Sequence, residues 1–136
     1  MKNKITLEQA KSEVIGYLDA HYVDTDVETM LDEDAKEFNE VVLSIAKPVM
    51  RGDAVIDGKD YVLTLSEPQG DLKTITVSGL KTYQLKAMDE SKKNHTMSGS
   101  IKMIAAMVKV PAVQIDNLPA REFSLLSKLS ALFMVA

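Results

Sequence analysis

The first fifty residues carry apolar side chains with the 3.6-residue period of amphipathic helices. After the sequence Thr6-Leu7-Glu8-Gln9, which has the form of a capping box, this period predicts a helix over residues 7–20. A second pattern predicts a helix over about 32–46, with Pro48 as its stop. The apolar positions of the two patterns are Leu7, Ala10, Val14 and Leu18, then Ala35, Phe38, Val41, Val42 and Ile45.

After Pro48 the pattern changes to β-favouring runs. Ala54-Val55-Ile56 and Tyr61-Val62-Leu63-Thr64-Leu65 flank Asp57-Gly58, which predicts a hairpin over about 54–66 with a type I′ turn. Another turn is expected at Glu67-Pro68-Gln69-Gly70. The following stretch is either a third strand over about 73–77 or an irregular lead-in from Leu72. Because an isolated hairpin is marginal in water, the sheet must pack against the helices.

The remaining residues return to helical patterns. Leu80 to Met88 predicts one helix, followed by a polar linker that contains His95. Ser98 or Ser100 is expected to cap a helix that is apolar around most of its circumference, which is typical of a core centre or an interface. Pro111 is expected at the first position of one turn of helix, and Pro119 in the first turn of the last helix. The apolar positions are Met97, Ile101, Met103, Ile104, Met107 and Val108, then Phe123, Leu126, Leu129 and Phe133.

These elements predict an α+β fold that is mostly helical, with one small antiparallel hairpin. The chain of 136 residues suits one compact domain, made of an acidic helical segment over residues 1–50 and an α+β region over 51–136. Eight methionines and no tryptophan predict an aliphatic, Met-rich core; methionine also suits surfaces that adapt to a partner. Both interpretations stay open.

Charge is unevenly distributed along the chain. Residues 1–50 hold 5 Lys or Arg against 11 Asp or Glu, a balance of −6, whereas residues 51–136 hold 11 against 9, a balance of +2. Neither part has the dense basic stripe of a phosphate-binding surface, so we expect no nucleic-acid partner. No apolar run approaches the roughly 20 residues of a membrane helix, and no secretory signal is present, so an intracellular protein without a membrane partner is expected.

No motif in the sequence predicts catalysis, and we expect a non-enzymatic protein without cofactor or metal. With no cysteine, disulfides and thiolate sites are excluded. His21 lies among Asp19, Asp24 and Asp26, where a metal site is one alternative, although such clusters are common at helix ends. The spacing of the aspartates at 53, 57 and 60 lacks the glycine and terminal glutamate of a calcium-binding EF-hand. There is no zinc-protease, dinucleotide or phosphate-loop pattern.

Several short motifs follow one another in a recognisable order. Tyr61 to Pro68 is followed by Gly70-Asp71-Leu72; farther on, the apolar run Ile101 to Val110 leads through Pro111 to Ile115-Asp116-Asn117-Leu118 and Glu122-Phe123. Over roughly residues 53–134 this order resembles the tail assembly chaperones of tailed phages, the Mu-type and related tail proteins. Two departures are clear. Val108-Lys109 stands where the family commonly has Thr-Gly, and residues 1–50 have no counterpart.

The resemblance implies a protein that binds the tape measure protein, keeps it soluble and helps to recruit the tail tube protein. Such a chaperone acts in the host cytoplasm, self-associates and is not in the mature virion. Many family members also have a longer form made by ribosomal frameshifting, and the apolar end from Leu132 fits such a fusion, a partner contact or a core contact. The alternatives are a virion structural or tail-completion protein and a small phage regulatory protein.

The candidate partner-binding residues lie on the apolar faces of the C-terminal half. The opposing interpretation is that these faces meet one another and form the core. It is favoured for Phe123 and Leu126, whereas an interface is favoured for Met103, Met107 and Phe133. The full candidate set is Met103, Met107, Val110, Pro111, Ile115, Leu118, Phe123 and Phe133.

Overall fold

The computed structural model describes residues 4–81 and 96–134. Within these ranges it contains five α-helices, one 3-10 turn and a three-stranded antiparallel sheet, which confirms the α+β prediction. Most of the predicted helix from Leu80 to Met88, the linker after it and His95 lie outside the described residues. The elements are α1 (Leu7–Ala20), the 3-10 turn (Val27–Thr29), α2 (Asp32–Arg51), β1 (Ala54–Asp57), β2 (Asp60–Gln69), β3 (Leu72–Val77), α3 (Thr96–Val108), α4 (Ala112–Asp116) and α5 (Ala120–Met134).

Helix α1 has a well-defined signal at its start. The Thr6 hydroxyl accepts a hydrogen bond from the Gln9 amide, and the Gln9 side chain accepts one from the Thr6 amide, both at 3.1 Å. Two of the amides that a helix start leaves without partners are thereby satisfied. The predicted capping box and the helix bounds are confirmed.

Helix α2 is longer than predicted. It continues through Pro48 to Arg51 instead of stopping near residue 46, and it ends where Gly52 adopts a φ of 83°. Pro48 removes one backbone donor from the helix, but Pro48 and Val49 are both buried. Packing of this last turn therefore offsets the lost hydrogen bond, and the glycine, rather than the proline, ends the helix.

The sheet has the order β1-β2-β3, so of the two alternatives for the stretch after Gly70, the third strand is the one that forms. Asp57 pairs with Asp60, so the first loop is Gly58-Lys59, one position later than predicted. Positive φ occurs only at the first loop residue, Gly58, which is typical of a type II′ turn and not of the predicted type I′. The turn expected over residues 67–70 was also misplaced, since β2 runs to Gln69 and the loop is Gly70-Asp71.

The C-terminal helices begin close to the predicted positions. Because α3 already begins at Thr96, Ser98 and Ser100 lie within the helix, and neither can be its N-cap. Pro111 is the N-cap of α4 and not its first residue. Since proline lacks a backbone donor, it is tolerated at either position.

One hydrophobic core draws residues from both sides of residue 50. At its centre lie Tyr17 of α1 and Tyr61 of β2, whose rings are 6.0 Å apart. The Tyr17 hydroxyl donates to the Val77 carbonyl oxygen at 2.5 Å, and the Tyr61 hydroxyl donates to that of Ile45 at 2.9 Å. Burial raises the pKa of both phenols, so both remain protonated donors.

Within the described ranges, two residues other than glycine adopt left-handed backbone conformations at helix ends. Lys109 has a φ of 59° where α3 ends and the Val110 amide donates to the Ala105 carbonyl oxygen at 3.1 Å. Tyr22 has a φ of 64° just after α1. Glycine is favoured at such positions because a Cβ atom is crowded there.

The substitution Lys109→Gly should raise the free energy of unfolding by about 1 kcal/mol, because it relieves this crowding. Urea denaturation of the two proteins measures the difference. The control Lys102→Gly, in the interior of α3, should lower stability by about 1 kcal/mol. A loss of stability in both variants would contradict the left-handed conformation at residue 109.

Candidate functional site

Two concavities follow one another along the furrow between α2 and α5. The first, the polar cleft, has a volume of about 610 Å³ and lies between the C-terminal half of α2, strand β2 and the start of α5. The second, the acidic groove, has a volume of about 450 Å³ and lies between the N-terminal half of α2, the segment around the 3-10 turn and the end of α5. Lys128 lines both.

The acidic groove has an apolar interior and a charged rim. Its interior residues are buried or half-buried except for Ala131, which is exposed, and its three carboxylates, one from the segment before the 3-10 turn and two from α2, are also exposed. Such a site can hold a row of apolar side chains while its rim attracts cations. The interior residues are Val23, Met30, Phe38, Val41, Ala131 and Leu132, and the rim carboxylates are Asp24, Asp34 and Glu37.

Sequence reasoning missed the acidic groove because its walls come from three separate segments. None of the eight candidate partner-binding residues lines it. One signal was available: Phe38 and Val41 lie on the apolar face of a predicted helix, inside a run of residues 24–40 that holds eight acids and one lysine. That signal places an apolar stripe beside acids, but it does not reveal α5 as the opposite wall.

The candidate partner-binding residues divide by burial. Met103, Met107, Ile115 and Leu118 are buried within the chain. Val110, Phe123 and Phe133 are half-buried, and Pro111 is exposed. Contact of these eight residues with a partner stays a prediction.

His21 makes structural contacts in place of the metal ligation considered from the sequence. Its Nε2 lies 2.7 Å from the Lys59 carbonyl oxygen, and its ring lies edge-on to Tyr17 and Phe133, at centroid distances of 4.9 and 5.3 Å. A Cβ atom at Gly79 would lie only 2.7 Å from its Nδ1. Across residues 4–81 and 96–134, no group of three or more His, Asp or Glu side chains is arranged to hold a metal.

Glu122 is a buried carboxylate in the polar cleft. Its Oε1 accepts hydrogen bonds from the Ser66 amide at 2.9 Å and the Ser66 hydroxyl at 2.5 Å, and the Arg121 Nε lies 3.6 Å from its Oε2. Burial opposes ionisation, but the Ser66 hydrogen bonds and the Arg121 charge outweigh it and hold the pKa of Glu122 below its usual value. An ionised, hydrogen-bonded carboxylate of this kind joins α5 to β2.

The local structure of β2 makes Ser66 available to Glu122. Strand β1 pairs with residues 60–63 only, and the pairing of β2 with β3 shifts register between Thr64 and Gln69. Ser66 lies in this irregular stretch, where its amide donates to the carboxylate. The sequence placed Glu122 at the start of an amphipathic helix, but its hydrogen bonds come from this irregular stretch of a distant strand.

Comparison with protein-family models, curated proteins and solved structures finds no match to this chain. The resemblance to tail assembly chaperones is therefore carried by the order of the motifs alone. None of the helices in the described ranges is both long enough and apolar enough to cross a lipid bilayer.

The substitution Glu122→Gln should lower the free energy of unfolding by about 1–3 kcal/mol at pH 7, because it weakens charge-assisted hydrogen bonds. The folded-state pKa lies below the reference value of 4.5, so ionisation favours folding above that pH. This contribution is lost as the pH falls through the folded-state pKa. The difference between wild type and variant should therefore be constant near neutrality and shrink below about pH 4.5.

Urea titrations at neutral and acidic pH measure this difference. The exposed Glu67 provides the control, since Glu67→Gln should change stability little at any pH. A Glu122→Gln difference that stays equally large at about pH 3 would show that ionisation of this carboxylate does not stabilise the fold.

Proposed function

We propose that this protein is a non-enzymatic phage tail assembly chaperone that holds an apolar helical segment of the tape measure protein in the acidic groove. It thereby keeps the client soluble and promotes assembly of the tail tube protein around it. The acidic groove is the observation that carries the binding function. The client's identity is supported by the motifs from Tyr61 to Phe123, whose order resembles that of the tail chaperones.

The shape of the acidic groove suits a helix. Two of its walls are helices, α2 and α5, and its interior presents Phe38, Val41 and Leu132 as an apolar surface. A third helix laid along such a furrow buries side chains at the i, i+3, i+4 and i+7 positions of its own apolar stripe. A long apolar helical protein needs this kind of cover before it assembles, because large exposed apolar patches lead to aggregation.

The charge of the acidic groove specifies the client further. Among the described residues that line the groove, three are carboxylates, Asp24, Asp34 and Glu37, and one is a cation, Lys128. The preferred segment therefore carries Lys or Arg residues on either side of its apolar stripe. The balance of −6 over residues 1–50 adds a long-range attraction that speeds encounter with a basic segment, and this attraction weakens as salt is added.

In this proposal the protein acts in the host cytoplasm during tail assembly and leaves before the virion is complete. Self-association presents several grooves to one long client, and binding at several sites raises the overall affinity without new contacts at any one of them. A virion structural protein would instead remain in finished particles. Mass spectrometry of purified virions separates the two functions, because this protein should be absent from them if it is a chaperone and present if it is a structural protein.

Co-expression with the tape measure protein of the same phage tests the function and its site together. Wild type should keep that client soluble and co-purify with it. The variant Asp34→Lys/Glu37→Lys should lose most of the complex, because two attractive charges at the groove rim become repulsive. Pull-down yield and the soluble fraction of the client are the measurements.

The control variant is Glu67→Lys/Asp71→Lys, which changes the net charge equally at exposed residues that line neither concavity. It should bind like wild type, and circular dichroism should show that both variants are folded. Equal binding by all three proteins would rule out the acidic groove as the client site. A client that stays insoluble with wild type would contradict the chaperone function itself.

A further inference from the structure

Tyr22 combines two features that do not favour folding. Its backbone adopts a left-handed φ of 64°, and its side chain is 88% exposed. The first feature crowds the Cβ atom, which glycine would avoid. The second leaves a large aromatic ring in water instead of burying it. A large aromatic residue that strains its own backbone and gains nothing from burial is a candidate for a functional role.

The backbone at Tyr22 is fixed by its neighbours. The Val23 amide donates to the Leu18 carbonyl oxygen and the Tyr22 amide to that of Asp19, both at 3.0 Å, which is the Schellman arrangement of a helix end. Leu18 and Val23 are buried, and a contact between these two positions normally accompanies the motif. The left-handed conformation is thus imposed whatever side chain residue 22 carries.

The position of Tyr22 relates it to the acidic groove. The next two residues are Val23, in the groove interior, and Asp24, at its rim. Consecutive Cα atoms are 3.8 Å apart, so the backbone of Tyr22 lies next to the groove wall, although its side chain does not line the concavity. An exposed aromatic residue that directly precedes an apolar wall residue and a rim carboxylate provides the groups that bind an apolar helix with basic flanks.

We propose that Tyr22 is an anchor for the client helix of the acidic groove, with its ring covering the client's apolar stripe and contacting a Lys or Arg side chain held by Asp24. This inference rests on the proposed function and adds a specific residue to it. The partner is a helical segment whose apolar stripe is flanked by cations. Tyrosine provides a large contact area with few rotatable bonds, and it is enriched among residues that dominate binding energy.

The test uses a fluorescent synthetic helix of about 20 residues with a leucine stripe flanked by lysines. Fluorescence anisotropy gives its Kd for the full-length protein, and thermal unfolding gives Tm. Tyr22→Gly should raise Tm by about 4 °C, because it removes the crowding of the Cβ atom in the left-handed conformation. The same variant should weaken binding at least tenfold, because the ring is lost.

Lys109→Gly is the matched control, because it relieves the same left-handed conformation at a residue that lines neither the acidic groove nor the polar cleft. It should raise Tm similarly and leave Kd unchanged. Tyr22→Phe keeps the ring and should bind within about threefold of wild type. A peptide with glutamates in place of lysines should bind at least tenfold more weakly to wild type.

The outcomes separate this inference from the proposed function. If Tyr22→Gly binds like wild type while Asp34→Lys/Glu37→Lys does not, the anchor is wrong and the acidic groove stands as the site. If the charge-reversal variant binds like wild type, the groove and the anchor both fail. A lower Tm for Tyr22→Gly would overturn the argument from backbone strain. Absence of binding to wild type would reject the client chemistry and, with it, the anchor.

Discussion

The fold depends on two buried tyrosines that join the helices to the sheet. Tyr17 of α1 donates to the carbonyl oxygen of Val77 in β3, and Tyr61 of β2 donates to that of Ile45 in α2. Each hydrogen bond connects a helix with a strand, and the two rings lie side by side in the core. Because an unpaired hydroxyl in this place would cost stability, the two contacts fix the orientation of the sheet against α1 and α2.

That orientation makes α2 a shared wall for both concavities. The N-terminal half of α2 lines the acidic groove, and its C-terminal half, from Ser44 to Arg51, lines the polar cleft. Had the helix stopped before Pro48, its last turn would not form the cleft wall that faces Glu122. The Glu122–Ser66 hydrogen bonds then hold the start of α5 against β2, while the end of α5 forms the far wall of the groove.

Local sequence patterns predicted most of the helices and strands. Tertiary contacts determine the features that those patterns did not predict. The capping box at Thr6 and the strands around Gly58 were predictable because their signals lie within a few residues. The end of α2 was not, since burial of Pro48 and Val49 overrides the usual effect of proline. The acidic groove was missed because no local pattern shows that α5 packs beside α2. Tyr22 gave no signal either, because its left-handed backbone comes from hydrogen bonds at the end of α1.

The acidic groove joins the two parts of the chain that the sequence separated. Its acidic rim comes from residues 1–50, which have no counterpart in the resemblance to tail chaperones, while Ala131 and Leu132 come from the part that carries it. Neither part alone can form this concavity, because residues 1–50 would lack the α5 wall and the C-terminal part would lack the acidic rim. If the client binds here, the acidic segment is therefore not an appendage to a chaperone but the part that gives it a preference for basic helices. The uneven charge of the chain then has a direct physical role, because it places the carboxylates where an apolar surface is open to a partner.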